Sequence, residues 1–189
     1  TSDDEIGEDA TSLFNFLTGY SQQDKYRRLF IAPLNLREKL TALIQRERKH
    51  ALDGRESRII AKANSLTDEE LIQELYEASQ AGVEIDLIIR GICALRPGVK
   101  GLSSNIRVRS IVGRFLEHSR IFYFANGGGE QEEVYIGSAD WMGRNLDRRV
   151  EIVVPILDPD IRNYLRHRVL GSYLRDNTNA RILKPDGSY

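Results

Sequence analysis

The sequence has 189 residues, of which 41% are hydrophobic and 29% are charged, and its formal net charge at pH 7 is −1. That length suffices for one domain with its own core and part of another, and the composition is that of a globular protein. No apolar run approaches the roughly 18 residues of a membrane span, and the near-zero net charge argues against a general nucleic-acid or membrane-surface binder. The single cysteine, Cys93, excludes an internal disulfide and favours a reducing, cytoplasmic location.

The amino-terminal stretch "TSDDEIGEDA" carries five acids and no base, a pattern unlike that of a secretory signal peptide, so we expect none in this stretch. Because the sequence also begins without methionine, we expect it to be a piece of a longer protein. Residues 11–20 have the pattern of a short amphipathic helix, for which Thr11 or Ser12 is a suitable N-cap. The charge of the first two dozen residues differs from that of the rest, which indicates that they belong to a preceding domain.

Residues 26–91 alternate between strand and helix patterns. The first predicted helix has Asn35 as its N-cap, and the second begins with a capping box of Thr67 and Glu70. In chain order the elements are strand 26–33, helix 35–52, strand 57–65, helix 67–82 and strand 83–91. This order predicts parallel strand pairing through crossover helices.

The second half of the chain is predicted to consist mainly of strands. It also holds a glycine-bearing loop at 91–105, a short helix or turn at 113–118, and a closing helix at 158–176 with Asp158 as N-cap and Pro159 at the first helical position. The predicted strands are 106–112, 120–129, 133–140, 148–156 and 180–189. Together the elements predict an α/β fold with a mixed, largely parallel sheet flanked by helices.

Positive charge is concentrated between Arg90 and Arg120. This stretch contains seven bases and one acid, Glu117, a local excess of +6 in a near-neutral chain. The bases alternate with apolar residues and glycines, which favours several loops that converge on an anionic ligand over a merely solvated face. Arg90 ends a buried strand and Arg96 follows on a loop, at the edge where open α/β sheets bind ligands. A surface salt bridge is the alternative for these two arginines.

The stretch "RFLEHSRIFYF" places His118 two residues before Arg120, at the start of a strand. Side chains two positions apart on a strand point to the same side, so the imidazole and the guanidinium are predicted to be neighbours. Such a pair can grip a phosphoryl group, the imidazole attacking or protonating it and the guanidinium neutralising its oxygens. The alternative is a structural corner without chemistry. His50 and His167 are interpreted as structural.

A second polar cluster lies in "GSADWMGRNLDRR". Ser138 offers a hydroxyl, Asp140 a carboxylate, and Arg144 and Arg148 add positive charge; strand pairing is predicted to bring this cluster beside His118. Read alone, "GSAD" is a common turn. The sequence contains no C-x-x-C, H-E-x-x-H, G-x-S-x-G or Walker lysine motif, which argues against zinc proteases, serine hydrolases and P-loop enzymes.

Two long segments, "LIIRGICALRPGVKGLSSNIRVRSIVGRFLEHSRIFYFANGG" and "VYIGSADWMGRNLDRRVEIVVP", closely resemble the C-terminal catalytic region of bacterial polyphosphate kinases. The upstream "LFNFLTGYS", "IAPLNLREKL" and "RIIAKANSL" resemble it too. That family belongs with the phospholipase D superfamily, whose H-x-K and G-S-x-N signatures correspond to His118-x-Arg120 and to the segment from Gly137 to Asp140. Arginine replaces the lysine and aspartate replaces the asparagine, which suits phosphoanhydride better than phosphodiester chemistry.

The resemblance implies a phospholipase D-like fold and a reversible transfer of the terminal phosphoryl group of ATP to inorganic polyphosphate through a phosphohistidine. It places the phosphorylated histidine and the Mg²⁺ ligands upstream of this chain, so no metal ligand is assigned here. His118 matches a general acid/base toward the leaving nucleotide, and Asp140 or Asp147 is expected to orient it better than Glu117. Arg120 supplies charge, and Arg90 matches an arginine near the ATP phosphates. ATP or polyphosphate binding is further expected of Arg96, Ser138, Asp140, Arg144 and Arg148.

The same resemblance predicts that residues 1–28 are the poorly ordered tail of a preceding catalytic domain and that 29–189 form the C-terminal catalytic domain. The fragment is expected to fold but to lack activity by itself. The expected partners are ATP or ADP, polyphosphate and further copies of the full-length protein, with no nucleic acid. The expected location is cytoplasmic, with peripheral association with the inner membrane left open.

Two other functions are weighed against this one. The first is a phospholipase D-like nuclease or phosphatidyl transferase that uses His118 as its nucleophile and cleaves phosphodiesters. The second is a non-catalytic polyanion- or RNA-binding module, whose binding would weaken with salt and would respond to loss of His118 only as to loss of one charge.

Overall fold

A computed structural model describes residues 2–20 and 25–189. In the described residues, eight strands form a single sheet with helices on both faces. The strands are β1 (Phe30–Ala32), β2 (Arg58–Ala63), β3 (Glu84–Ile89), β4 (Ile106–Ile111), β5 (Arg120–Phe124), β6 (Glu133–Gly137), β7 (Glu151–Pro155) and β8 (Ala180–Ile182). The α-helices are α1 (Asp4–Leu17), α2 (Leu36–Leu52), α3 (Glu69–Gln80), α4 (Gly143–Asp147), α5 (Pro159–Asn163) and α6 (Gly171–Arg175). A π-helical stretch, Tyr164–Leu170, joins α5 to α6, and a short 3₁₀ helix spans Gly129–Gln131.

The strand order is β1-β7-β6-β5-β2-β3-β4-β8. The mixed sheet flanked by helices is confirmed, but its predicted largely parallel character is wrong. Only the pairs β2–β3 and β3–β4 are parallel, and the other five pairs in the described residues are antiparallel. For the pair β5–β6, the reason is the length of the connection. β5 ends at Phe124 and β6 begins at Glu133, which leaves too few residues for the crossover that parallel pairing needs.

The two faces of the sheet are covered by different helices. On one face, α2 and α3 bury leucines and isoleucines, including Leu40 and Ile44, against Phe122 and Phe124 of β5. On the other face, the carboxyl-terminal helical segment buries Leu170 against neighbouring strands. Because side chains alternate along a strand, Phe122 faces α2 and α3 whereas its neighbours on β5 face the carboxyl-terminal segment.

Three predicted local features differ from the structure. The N-cap of α3 is Asp68, whose carboxylate accepts from the Leu71 amide, because the capping group lies one residue later than the Thr67 box predicts. Asn35 precedes α2, but its side chain accepts from the Ile31 amide and thus closes the turn after β1. The segment 112–119 contains neither helix nor strand. The predicted Asp158 cap of the closing helix is present.

In the described part of the amino-terminal segment, a helix packs on the edge of the sheet. α1 begins seven residues earlier than predicted, with Asp3 as N-cap and acids in its first turn, where they complement the helix dipole. The carboxylate of Asp9 accepts from three successive amides, those of residues 27–29. Ile6 and Leu13 pack against Ile31 of β1. None of the helices in the described ranges is long and apolar enough to cross a membrane.

The strand directions determine where the polar residues meet. β6 runs in the same direction as β2, β3 and β4, and β5 runs in the opposite direction. The carboxyl ends of β2, β3 and β6 and the beginning of β5 therefore lie at one edge of the sheet. Asn64, Arg90, Arg120 and Asp140 all occur at or just beyond these strand ends.

Candidate functional site

The register of β5 fixes the centre of this site. Arg120, its first residue, is paired with Gly137 at the end of β6, and the next residue, Ile121, is paired with Lys62 near the end of β2. The register thus brings "HSR" beside "GSAD", as the sequence predicts. The segment 64–66 is also tied to this edge, since Leu66 forms isolated bridges with Cys93 and Trp141.

Arg120 connects His118 to Asp140. Its Nε and one terminal nitrogen donate to the two carboxylate oxygens of Asp140 at 3.1 and 3.0 Å. The other terminal nitrogen donates to Nδ1 of His118 at 2.9 Å and to the His118 carbonyl at 2.7 Å. Four of the five N–H groups of a guanidinium are thereby used within the protein, and Arg120 is only 9% exposed. Arg120 therefore contacts the imidazole and Asp140, and no more than one of its N–H groups is left for the phosphate contact expected from the H-x-R spacing.

The network continues from Asp140 to Arg90 through Asn64. The Asn64 amide nitrogen donates to Asp140 at 2.7 Å, and its side-chain nitrogen donates to the same carboxylate at 3.2 Å. The side-chain oxygen of Asn64 accepts from Nε of Arg90 at 3.2 Å. The terminal nitrogens of Arg90 have no hydrogen-bond partner in the described residues, so its fork remains available to an anionic ligand.

The contact with Arg120 determines the form of the imidazole. A guanidinium can only donate, so Nδ1 of His118 must be the acceptor and cannot carry a proton. The neutral ring therefore has its proton on Nε2. His118 is exposed, and this second nitrogen can donate to an oxygen of a ligand.

Gly137 and Ser138 serve the sheet in a way the sequence did not predict. A Cβ on Gly137 would lie 2.5 Å from the Ile152 carbonyl oxygen, so the glycine allows β7 to approach. The Ser138 hydroxyl accepts from the Ile152 amide at 3.1 Å, and the Ser138 amide donates to the Ile152 carbonyl at 2.9 Å. The small residues thus leave room for the neighbouring strand β7, whereas the sequence suggested that they leave room for a bound ligand.

Three predicted binding residues lie outside the hydrogen-bonded network. Arg96, Arg144 and Arg148 are exposed, and in the part of the chain that the structure describes their side chains form no hydrogen bond with His118, Arg120 or Asp140. Arg144 lies in α4 and Arg148 directly follows it. The backbone of Arg96 is held by Tyr76 and Ser103.

The candidate orienting acids have separate roles. Asp140 acts on His118 only through Arg120. Asp147 pairs with Arg37, whose hydrogen bond lowers the pKa of that carboxyl group. Glu117 accepts from the Tyr173 hydroxyl. Neither Asp147 nor Glu117 forms a hydrogen bond with the imidazole among the residues described.

Two buried polar residues at this edge were not predicted from the sequence: Lys62 on β2 and Asn64 directly after it. Asn64 is 7% exposed and Lys62 is 4% exposed. Both lie in "AKAN", where a polar residue recurs at every second position of an otherwise apolar strand. This alternation is visible in the sequence, but only the register of β5 beside β2 shows that both residues face the His118 edge.

The residues at this edge do not fit a Mg²⁺ site. Mg²⁺ needs free carboxylate oxygens, but the two oxygens of Asp140 are bonded to Arg120 and Asn64. Across residues 2–20 and 25–189, no group of three or more His, Cys, Asp or Glu side chains is arranged to hold a metal ion.

Comparisons of the chain with known proteins identify its family. The family model described as polyphosphate kinase C-terminal domain 2 matches residues 29–189. A polyphosphate kinase from Synechocystis sp. is 60% identical over 98% of this chain, and one from Pseudomonas putida is 50% identical over 100% of it. The chain spans about a quarter of the length of these curated relatives, 25% and 26% respectively.

Solved structures agree with the fold. The crystal structure of polyphosphate kinase from Porphyromonas gingivalis superposes with a TM-score of 0.94 at 43% identity, and the match covers 100% of this chain and 28% of that one. Nuc from Salmonella typhimurium, a phospholipase D family member, gives a TM-score of 0.57 at 17% identity over 83% of this chain and 97% of its own. The second likeness confirms the predicted phospholipase D-like fold. The chain belongs to the polyphosphate kinase family, of which residues 29–189 form C-terminal domain 2.

Proposed function

We propose that this chain is part of a polyphosphate kinase that reversibly transfers the terminal phosphoryl group of ATP to inorganic polyphosphate. The transfer passes through a phosphohistidine outside residues 1–189. The observation that carries the proposal is the chain of contacts from His118 through Arg120, Asp140 and Asn64 to Arg90, assembled at one edge from the motifs that resemble the family.

In this proposal His118 stabilises charge on a phosphate oxygen. Full proton transfer from the ring would require a second proton on Nδ1, which is the nitrogen that accepts from Arg120. The neutral ring instead donates a hydrogen bond from Nε2 to the oxygen that gains charge as the phosphoanhydride bond breaks. The hydrogen-bonded arrangement therefore favours an electrostatic role over the general acid/base role implied by the family resemblance.

The remaining residues bind and orient the polyanion. Arg90 presents its free terminal nitrogens to the nucleotide phosphates, and Arg96, Arg144 and Arg148 supply positive charge along the path of the polyphosphate chain. Ser138 and Asp140 shape the edge between them. The Mg²⁺ ligands and the phosphorylated histidine lie elsewhere in the full-length protein. That protein assembles from several copies. It acts in the cytoplasm and binds no nucleic acid. Residues 1–28 belong to the preceding catalytic domain, and the isolated fragment is inactive.

The reaction can be tested on the full-length protein that contains this chain. ADP, long-chain polyphosphate and Mg²⁺ are supplied, and the ATP formed is measured beside the cleavage of a chromogenic phosphodiester. The proposal expects ATP formation and no phosphodiester cleavage. Cleavage without ATP formation would support the nuclease alternative, and binding of polyphosphate with neither reaction would support the non-catalytic module.

Arg90 gives a separate prediction. Arg90→Ala in the full-length protein is expected to lower kcat/KM for ADP by about 10- to 100-fold, since a charge-assisted, bidentate phosphate contact is lost. Arg181→Ala, a change of the same kind at an exposed position on β8, is expected to leave kcat/KM within about twofold. Equal values for the Arg90 variant and the wild type would remove Arg90 from the binding site.

A further inference from the structure

Each of the two residues that flank His118 accepts a hydrogen bond from a side chain outside the segment that contains it. His118 lies in the exposed segment 112–119, which contains neither helix nor strand. The Ser119 carbonyl accepts from Nζ of Lys62 at 2.9 Å, and the Glu117 carboxylate accepts from the Tyr173 hydroxyl. An otherwise irregular segment is therefore anchored immediately before and immediately after the imidazole.

Lys62 and Tyr173 are themselves packed together. Nζ of Lys62 lies 5.0 Å from the centroid of the Tyr173 ring, within the range of a cation–π contact. Tyr173 belongs to α6, and this helix is fixed to β4 because Arg109 donates to the Leu174 carbonyl at 2.5 Å. Lys62 is thus part of the sheet, and Tyr173 is part of the helical segment that covers it.

Burying the charged ammonium group of Lys62 at this position in the sheet costs free energy. Lys62 is only 4% exposed, and burial lowers the pKa of its ammonium group. An apolar residue would satisfy the packing on this face, where Ile60 and Ile121 contribute to the core. The Tyr173 hydroxyl stays a donor because burial, with the hydrogen bond to Glu117, raises its pKa to about 12.

We propose that Lys62 and Tyr173 are positioning residues that hold His118 in place by fixing Ser119 and Glu117 on either side of it. The inference rests on the proposed function, in which Nε2 of His118 meets a phosphate oxygen. A displacement of the ring by about 1 Å is enough to cost up to roughly 100-fold in rate without weakening substrate binding.

Four variants of the full-length protein test the anchors. Lys62→Met is expected to lower kcat by about tenfold or more with KM within about twofold. Tyr173→Phe keeps the ring over Lys62 and loses only the hydrogen bond, so a fall in kcat of about three- to tenfold is expected. Glu117→Ala should match Tyr173→Phe, whereas Glu117→Gln keeps an acceptor oxygen and should retain most of the wild-type kcat.

Matched controls separate positioning from general damage. Lys49→Met on α2 and Tyr164→Phe in the π-helical stretch make the same chemical changes at exposed positions and are expected to leave kcat within about twofold. The inference is overturned if Tyr173→Phe keeps the wild-type kcat, if Glu117→Gln loses as much as Glu117→Ala, or if KM rises while kcat stays constant. The Tyr173 and Glu117 variants decide the matter if Lys62→Met does not fold.

The failure of the proposed function would look different. A wild-type protein that forms no ATP overturns the proposed function and with it the inference that depends on it. An active wild type whose kcat is insensitive to His118→Ala overturns the role of His118. An active wild type that needs His118 but tolerates Tyr173→Phe overturns the positioning inference alone.

Discussion

His118→Ala in the full-length protein is expected to lower kcat for ATP formation by about 10²- to 10³-fold, the usual loss when one preorganised donor to a developing charge is removed. The affinity for polyphosphate is expected to change by less than about threefold, because only one hydrogen-bond donor is lost and the basic residues remain. Steady-state ATP formation and equilibrium binding of polyphosphate measure the two effects separately.

His118→Gln distinguishes the two roles of the ring. The glutamine amide can donate a hydrogen bond but does not titrate, so a hydrogen-bonding role predicts that it recovers about tenfold or more of the rate lost in His118→Ala. His167→Ala, at an exposed histidine of the carboxyl-terminal segment, serves as the control and should have wild-type activity. If glutamine and alanine are equally inactive, proton transfer is the role of His118. If alanine is active within a few-fold, His118 is structural.

Asp140→Ala is expected to lower the free energy of unfolding of this chain by about 3–5 kcal/mol. The substitution leaves the buried Arg120 guanidinium without its carboxylate and removes the acceptor of two Asn64 donors. Urea denaturation of the purified chain measures the change. Asp53→Ala, at an exposed position after α2, is the control and should change stability by no more than about 0.5 kcal/mol.

A double-mutant cycle assigns this loss to the ion pair. Arg120→Ala/Asp140→Ala also removes the unpaired charge, so the double variant should lose less stability than the sum of the two single variants, by about 2–3 kcal/mol. Additive losses, or a loss below about 1 kcal/mol for Asp140→Ala, would show that the pair does not hold the site together.

Much of the fold could be predicted from local patterns. The apolar spacing of α2 and the cap at Asp158 were predicted correctly because each depends on residues within a few positions. The largely parallel sheet was predicted incorrectly because pairing depends on which strands meet. β5 lies beside β2 although Phe124 pairs with Ile59, which is 65 positions earlier (124 − 59), and no local pattern in the chain encodes that choice.

In the site, too, local features could be predicted from the sequence and long-range contacts could not. The H-x-R spacing correctly predicted that His118 and Arg120 are neighbours, because two positions along the chain keep the side chains within reach, although His118 lies just before β5 and not on it. The salt bridge of Arg120 with Asp140 and the hydrogen bonds of Asn64 to Asp140 could not be predicted, because these residues lie at the ends of strands that are distant in sequence. Motif resemblance pointed to His118, Arg120 and Asp140, which the structure joins by hydrogen bonds, and the contacts of Arg120 suggest a positioning group in place of the predicted phosphate clamp.

The protonation of the His118 ring tests the central claim most directly. Long-range ¹H–¹⁵N correlation spectra of the labelled chain report which ring nitrogen carries the proton in the neutral form, and His118→Ala identifies the signals among the three histidines. The account predicts a proton on Nε2 and an unprotonated, hydrogen-bonded Nδ1, with this preference weakened in Arg120→Ala. A proton on Nδ1, or a spectrum that does not respond to Arg120→Ala, would contradict the account.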